Sequence, residues 1–532
     1  MSGGAATVLH AVRRRPDRVA IAVLVVTAFA ILASYLLKVP CTGPTYDASG
    51  VSPNFGTMKY SKLCYSDVQQ LWLGRGVPEH TFPYLHGRLV PAESGPGTLV
   101  DGAVEYPIIT GLFMWLAGLP AHNDGQYLLY TSILLAPFGL LTAWLLAKVS
   151  GRRALLWAGA PALVIYGVYN WDFLATACVA GAFYYWYRDR PTVAALLLGV
   201  GAATKIYPGF FVLPLLLERL VDQDWKGSAK VAGAAGGAWA VINLPFLAAN
   251  PDGWWATYAF QSGRDADLTT NSIWYWGFPH LSTATVDRLT VVLIALAWAA
   301  ALLLGWIWRD PSGRYPWIQV SAAMLCAFLM FNKVYSPQYV LWVLPFLVLI
   351  RVRWGWWVAC VTIDLCLFIG LYRWYYDITQ GGDFGLGKQA AVIGVWGKTI
   401  LFGLLYLVFL RSPLATGAGS VGDAALSRLY PSLPESGYVR SGAPSSTPPA
   451  GSSGPSASLD PAATPIPAGS SDRSAGSSDH SAGSSDHSAE SADRADSAAS
   501  AASAASTSST GTSGERTMSS DGEKMSRTTN MQ

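Results

Sequence analysis

The sequence predicts an all-α polytopic membrane protein of the kind built from about twelve transmembrane helices, with a disordered C-terminal tail. Three observations carry that prediction. Apolar runs recur from Val19 to Leu410. Charged residues make up only 13% of the 532-residue chain, about half the share usual in a soluble domain. Lys and Arg collect in the turns between alternate runs, as short cytoplasmic loops require.

The first run, Val19 to Leu37, follows Arg13, Arg14, Arg15 and Arg18 and carries no convincing cleavage site. It reads as a retained helix over 19–38, with residues 1–18 as a cytoplasmic segment. Further spans are expected over 125–147, 154–169, 173–187, 192–204, 209–220, 228–249, 289–308, 317–331, 339–350, 354–372 and 389–410. With both termini inside, the cytoplasmic turns receive Lys148/Arg152/Arg153, Arg188/Arg190, Arg219/Lys226, Arg309/Arg314, Arg351/Arg353 and Arg411. The stretch 192–220 is expected to be a hairpin of short helices broken at Tyr207-Pro208, which only protein or a water-filled cavity tolerates. Residues 106–119 are laid in the interface as an amphipathic segment, because a span there would invert every later loop.

The outer face then receives the loop 40–124, short turns at 170–172, 205–208 and 332–338, and the loops 250–288 and 373–388. The transmembrane domain is bounded at 19–411. Beyond it the chain turns to Ser, Ala, Gly and Pro and repeats Ser-Ala-Gly-Ser-Ser-Asp-His at 474–480 and 481–487. Such composition cannot offset its ordering entropy by burial, so 412–532 is expected to be a disordered cytoplasmic tail.

A formal charge of +3, spread in small clusters, excludes nucleic-acid binding. Cys178, Cys326, Cys360 and Cys366 lie in apolar runs, where thiols pack as small hydrophobes. Cys41 and Cys64 share the first outer loop and are placed to close it with a disulfide. No Cys/His spacing suggests a metal site.

Candidate chemistry gathers on the outer face. Asp67, in Tyr65-Ser66-Asp67-Val68-Gln69, is a carboxylate suited to take the proton of an acceptor hydroxyl during sugar transfer. The competing account is a helix start, with Ser66 and Gln69 as a capping box and Asp67 favouring the first turn. Lys205 and Lys333 sit at outer turns where the charge rule expects none, and Arg264 lies in the late outer loop. Cations there suit the phosphate of a lipid carrier, although lysines also snorkel to headgroups. Trp171-Asp172 and Asn271-Ser272-Ile273-Trp274 mix aromatic faces with polar groups, as a sugar ring requires; interfacial belts have the same composition. Asp364 falls mid-span and needs a partner, a proton or a cavity.

From Val19 to Arg411 the chain resembles the polyprenol-phosphate-mannose-dependent mannosyltransferases of glycosyltransferase family 87, of the GT-C class and actinobacterial type. The resemblance rests on ordered pieces: Asp67 followed by Gly76, Tyr106-Pro107, Trp171-Asp172, Lys205-Ile206-Tyr207-Pro208, Asn271-Ser272-Ile273-Trp274, and Ser336-Pro337-Gln338-Tyr339 before Trp342 and Pro345. It departs where Ile108 follows Tyr106-Pro107 in place of a second proline. It implies inverting transfer of a sugar, mannose by the family's habit, from polyprenyl phosphate to a lipid- or glycan-linked acceptor. On that resemblance Asp67 is the base, and Lys205, Lys333, Arg264, Tyr106, Trp171, Asp172, Tyr207, Trp274 and Gln338 are the residues expected to bind donor or substrate. The site would be extracytoplasmic in a multi-pass plasma-membrane protein, with membrane lipids around it and no metal or cofactor beyond the lipid-linked sugar. A transporter or lipid flippase is the alternative, but only one broken helix pair is evident and no matching repeat.

Overall fold

Residues 4–424 are described by the computed structural model, except 93–94, 310–312, 383–384 and 418–419, with side chains from Arg18 onward. The Ser/Ala-rich repeats, and a second unit at Ala443–Gly522, lie outside the described residues.

Helix α1 (Gly4–Lys38) leads through a 3-10 turn into the first long loop. That loop carries α2 (Pro53–Met58), α3 (Asp67–Gly74), a hairpin of β1 (Arg88–Val90) and β2 (Thr98–Val100), and α4 (Ile108–Gly118). Strands β1 and β2 are antiparallel, with Leu89 opposite Leu99. The bundle continues with α5 (Asp124–Ser150), α6 (Leu155–Ala158), α7 (Pro161–Tyr166), α8 (Asp172–Tyr187), α9 (Pro191–Ala202), α10 (Tyr207–Phe210), α11 (Val212–Val221) and α12 (Trp225–Ala249). A second loop region holds α13 (Pro251–Gly263) and α14 (Ile273–Gly277). Helices α15 (Thr283–Ile307), α16 (Trp317–Phe331), α17 (Val340–Leu349), α18 (Trp354–Thr379) and α19 (Leu386–Arg411) complete it.

Among the described residues six helical stretches are long and apolar enough to cross a bilayer, in α1, α5, α12, α15, α18 and α19. The remaining expected spans are helical but shorter, and their burial explains why. All ten residues of α17 are buried, and α8 and α16 are buried along most of their length. A helix wrapped by protein need not match the full hydrocarbon thickness. By contrast α12 and α15 present Val241 (76% exposed) and Val291 (67% exposed) on outward apolar faces, as lipid-facing helices do. The run 154–169 breaks at Gly159-Ala160, and Pro161 opens α7 at a position where its missing N–H costs nothing. The hairpin over 192–220 is broken as its sequence requires: α9 has 12 residues, about 18 Å at 1.5 Å per residue, too short for a span of about 30 Å.

Helix direction separates the two ends of the bundle. Helices α5 and α8 start from Asp124 and Asp172 and end beside Lys148 and Arg188, while α18 starts after the basic turn at Arg351 and Arg353 and α19 ends at Arg411. At the basic end Arg153 donates to the carbonyls of Leu347, Val348 and Ile350, satisfying the last turn of α17. The chain stays attached past Arg411, where the tail was expected to begin. Ala415 N–H donates to Leu349, Arg351 N–H to Pro413, and Ser420 Oγ to Val149. Unsatisfied carbonyls at the ends of α5 and α17 give this short segment its partners.

Candidate active site

The site starts from a helix cap. Ser66 Oγ accepts from Gln69 N–H, which opens α3, and Asp67 takes the first helical position. The capping account of this motif is therefore correct, but it leaves the Asp67 carboxylate free to face inward. Asp67 N–H donates to Tyr169 C=O (2.9 Å), tying α3 to the turn before α8. Oδ1 accepts from the Tyr65 hydroxyl (3.0 Å). Oδ2 accepts from Asn170 Nδ2 (2.6 Å) and more weakly from Gln338 Nε2 (3.4 Å).

Asn170 joins the carboxylate to a cation. Its other amide hydrogen goes to the Tyr106 hydroxyl (2.8 Å), and its Oδ1 accepts from Lys205 Nζ (3.0 Å) and from Trp171 N–H (2.6 Å). Lys205 pairs with Asp172 at 2.8 Å, and Asp172 Oδ1 also accepts from Trp342 Nε1 at 2.6 Å. Around the lysine stand the rings of Tyr106, Tyr339 and Trp342 at 5.5 to 5.9 Å. Trp342 is sandwiched between Tyr207 (4.2 Å) and Tyr339 (3.9 Å), which fixes its indole N–H on Asp172.

Several loop contacts hold this arrangement. The Cys41–Cys64 disulfide is formed and ends three residues before Asp67, and Gln69 Nε2 donates to Cys41 C=O. Helix α4 clamps the Lys205 turn: Ile109 N–H donates to the Ala203 carbonyl and Thr110 Oγ1 to that of Thr204 (2.7 Å). Its Gly111 leaves room for the Tyr84 hydroxyl, which donates to Tyr106 C=O (2.8 Å); a Cβ there would collide with that ring.

Burial pushes the Asp67 carboxyl up to about 6, against the lowering pull of its bonds from Asn170 and Tyr65 and of the Lys205 charge. The residue nevertheless keeps partial exposure. Burial and the neighbouring Asp67 charge push the Tyr106 phenol well above its usual range, so it remains a neutral hydroxyl.

The structure thus brings together Asp67, Tyr106, Trp171, Asp172, Lys205, Tyr207 and Gln338. Lys333 is engaged elsewhere, with Asp287 (2.5 Å) and the Ser262 carbonyl (2.7 Å), where it joins the end of α13 to the start of α15. Trp274 is buried and donates to Phe331 C=O (2.8 Å), packing among Ile273 and Val286 away from Asp67. Arg264 lies on the site's side of the same loop, its charge acting on Tyr339; it makes a long bond to Thr269 (3.4 Å) and, among the described residues, no ion pair with a carboxylate. Asp364, expected to need a partner, receives the Tyr166 hydroxyl at 3.2 Å. Sequence reasoning did not single out Tyr65, the bridging role of Asn170, or Lys38. For Lys38 a signal existed, since it is a lysine at the outer end of a spanning helix, against the charge rule.

Fold and site together define a polytopic helical membrane protein with a carboxylate and a buried ion pair at the end opposite its basic turns. Residues 105–332 match the family model of glycosyltransferase family 87, so this part of the chain is similar to the glycosyltransferases of that family. The match covers Tyr106, Asn170, Asp172, Lys205 and Arg264, while Asp67 and Gln338 lie on either side of it. No curated protein matches the chain.

Proposed function

We propose that this glycosyltransferase moves a sugar, mannose by family resemblance, from a polyprenyl phosphate to a hydroxyl of a lipid- or glycan-linked acceptor, at the outer face of the plasma membrane. The observation that carries the proposal is Asp67: a partly exposed carboxylate pushed up to about 6, held at both oxygens and set beside the Lys205–Asp172 pair. A base whose affinity for protons lies near neutrality suits removal of a hydroxyl proton as the new bond forms. The acceptor oxygen attacks the anomeric carbon from the face opposite the phosphate, and its proton passes to Asp67. The bond from the anomeric carbon to the phosphate oxygen breaks, the polyprenyl phosphate leaves with the electron pair, and configuration inverts.

The leaving phosphate needs cations that meet its growing charge. Arg264 is the better candidate for direct contact, because Lys333 is already neutralised by Asp287. Lys205, balanced by Asp172, supplies a fixed ammonium at the rim of the base and orients Asn170. The outward placement rests on the basic turns gathering at the other end of the bundle. The test is transfer from radiolabelled polyprenyl phosphate mannose to native membrane lipids and glycans by purified protein in liposomes. Labelled product that disappears with Asp67→Asn supports the reading; no product from this donor, with product from another lipid-linked sugar, reassigns the sugar alone.

A further inference from the structure

Lys38, the last residue of α1, is 0% exposed, and its Nζ has no hydrogen-bond partner among the described residues. A lysine at the end of a spanning helix ordinarily extends its stem to the headgroups. This one turns inward, with Nζ 5.3 Å from the Tyr169 ring centre and 5.9 Å from that of Phe368. Tyr169 is the residue whose carbonyl holds the Asp67 N–H, and its ring lies 5.4 Å from that of Tyr65, the hydroxyl donor to Asp67. Lys38 thus sits behind the frame that carries the carboxylate, and the Asp67 charge acts on its amine.

The charges around it leave a single pairing. Lys205 is paired with Asp172, whose charge offsets part of the lysine's effect on Asp67. Among the described residues Asp67 has three hydrogen-bond donors but no cation within ion-pair distance, and Lys38 has no anion within that distance. Facing Lys38 from the α7–α8 turn is Tyr169; from α18 come Phe368 and Tyr372, the latter bonded to the Tyr169 hydroxyl at 2.6 Å; from the α3 loop come Tyr65 and Asp67. Asp364, one turn from Phe368 on α18, is occupied by Tyr166. Asp364 and Asp67 both receive only neutral donors, and of the two it is the Asp67 charge that acts on the amine.

We propose that Lys38 is a positioning residue for the transfer reaction, its sealed ammonium supplying the counter-charge that keeps Asp67 ionised and ready to accept the acceptor's proton. The proposal rests on Asp67 being the base. Lys38 touches neither substrate, since its side chain is closed off from solvent. It acts through space in a poorly solvated region, where an opposite charge several ångströms away retains its effect.

The experiment is the pH profile of turnover for full-length Lys38→Met in liposomes, with polyprenyl phosphate mannose as donor and native membrane lipids as acceptors. Loss of the cation should move the acidic limb upward by about one pH unit, lowering turnover about tenfold on that limb and restoring it at alkaline pH, with KM for the donor unchanged. A lysine that only burdens or braces the fold would change the melting midpoint and leave the limb where it is; that result overturns the proposal. Should Lys38→Met fail to insert, Lys38→Gln keeps a polar head of similar reach without the charge and yields the same reading. Asp67→Asn, assayed alongside, separates the two claims. Parent-like turnover of that variant removes the base assignment, whereas an inactive Asp67→Asn with an unmoved limb for Lys38→Met removes only the role of Lys38.

Discussion

Asn170 grips Asp67 at 2.6 Å through its amide nitrogen while its amide oxygen accepts from Lys205, so one neutral side chain fixes the distance between carboxylate and cation. The orientation of that amide is dictated by its partners, since a flipped group would set oxygen against carboxylate. Asn170→Asp would place two carboxylates side by side, and one of them would hold a proton at neutral pH. The expected outcome is a loss of turnover of about 100-fold or more, with the acidic limb of the pH profile displaced upward. Steady-state assays across pH check both.

Asp67→Asn should keep the fold, because Ser66 rather than Asp67 caps α3 and an amide can retain the contact with Tyr65. Transfer should fall by a factor of about 100 to 10,000, the range general-base catalysis supplies. Donor binding, measured by displacement of labelled lipid, should stay near the parent value. Parent-like turnover would move the base elsewhere, with Asp172 next to be tested.

With the Asp67 carboxyl near 6, the parent enzyme should lose activity as pH falls through that value. The sign follows from the role: a base works deprotonated, and acid protonates it. A profile of kcat flat through this region would contradict the assignment.

Lys205→Met leaves Asp172 as an uncompensated buried charge, with only Trp342 still bonded to it. Breaking a buried pair in this way costs about 3 to 5 kcal/mol, so a fall in melting midpoint should accompany the fall in turnover. Arg264→Met should do the opposite, weakening donor binding and turnover while the midpoint holds. Lys226→Met, at the start of α12 on the basic side, is the control for both and should match the parent.

Removing the Cys41–Cys64 bridge opens a loop of 23 residues' separation, for which chain-entropy arguments give about 3 kcal/mol. Cys64→Ser should lower the melting midpoint, and turnover should decline because Asp67 lies only three residues beyond the bridge. Peptide mapping of the oxidised parent should recover Cys41 and Cys64 in one linked fragment.

The helical fold was legible because lipid and protein interiors both demand apolar runs, and the basic turns supplied the phase. Helix length was less legible. Hydropathy cannot tell α17, buried on every side, from a lipid-facing span, and the ten residues of α17 show that shortness reflects protein packing. For the site, Asp67, Lys205 and Asp172 stood out as charges among apolar neighbours. The pairing of Lys205 with Asp172 did not, since 33 positions separate them and only the turn from α9 to α10 brings them together. Lys333 and Trp274 show a related limit: nothing in their sequence reveals that one meets Asp287 and the other a backbone carbonyl.

The site draws on Tyr65 and Asp67 early in the chain, Asn170 to Lys205 in its middle, and Gln338 and Trp342 near its end. This distribution has a consequence for biogenesis. While the chain is being made, the early aspartate and the middle lysine are already inserted when α17 has yet to emerge, so Asp172 waits without its indole donor and Asp67 without Gln338. The constellation around Asp67 and Asp172 cannot be complete until α17 docks, so premature termination before that helix leaves the site without Gln338 and Trp342.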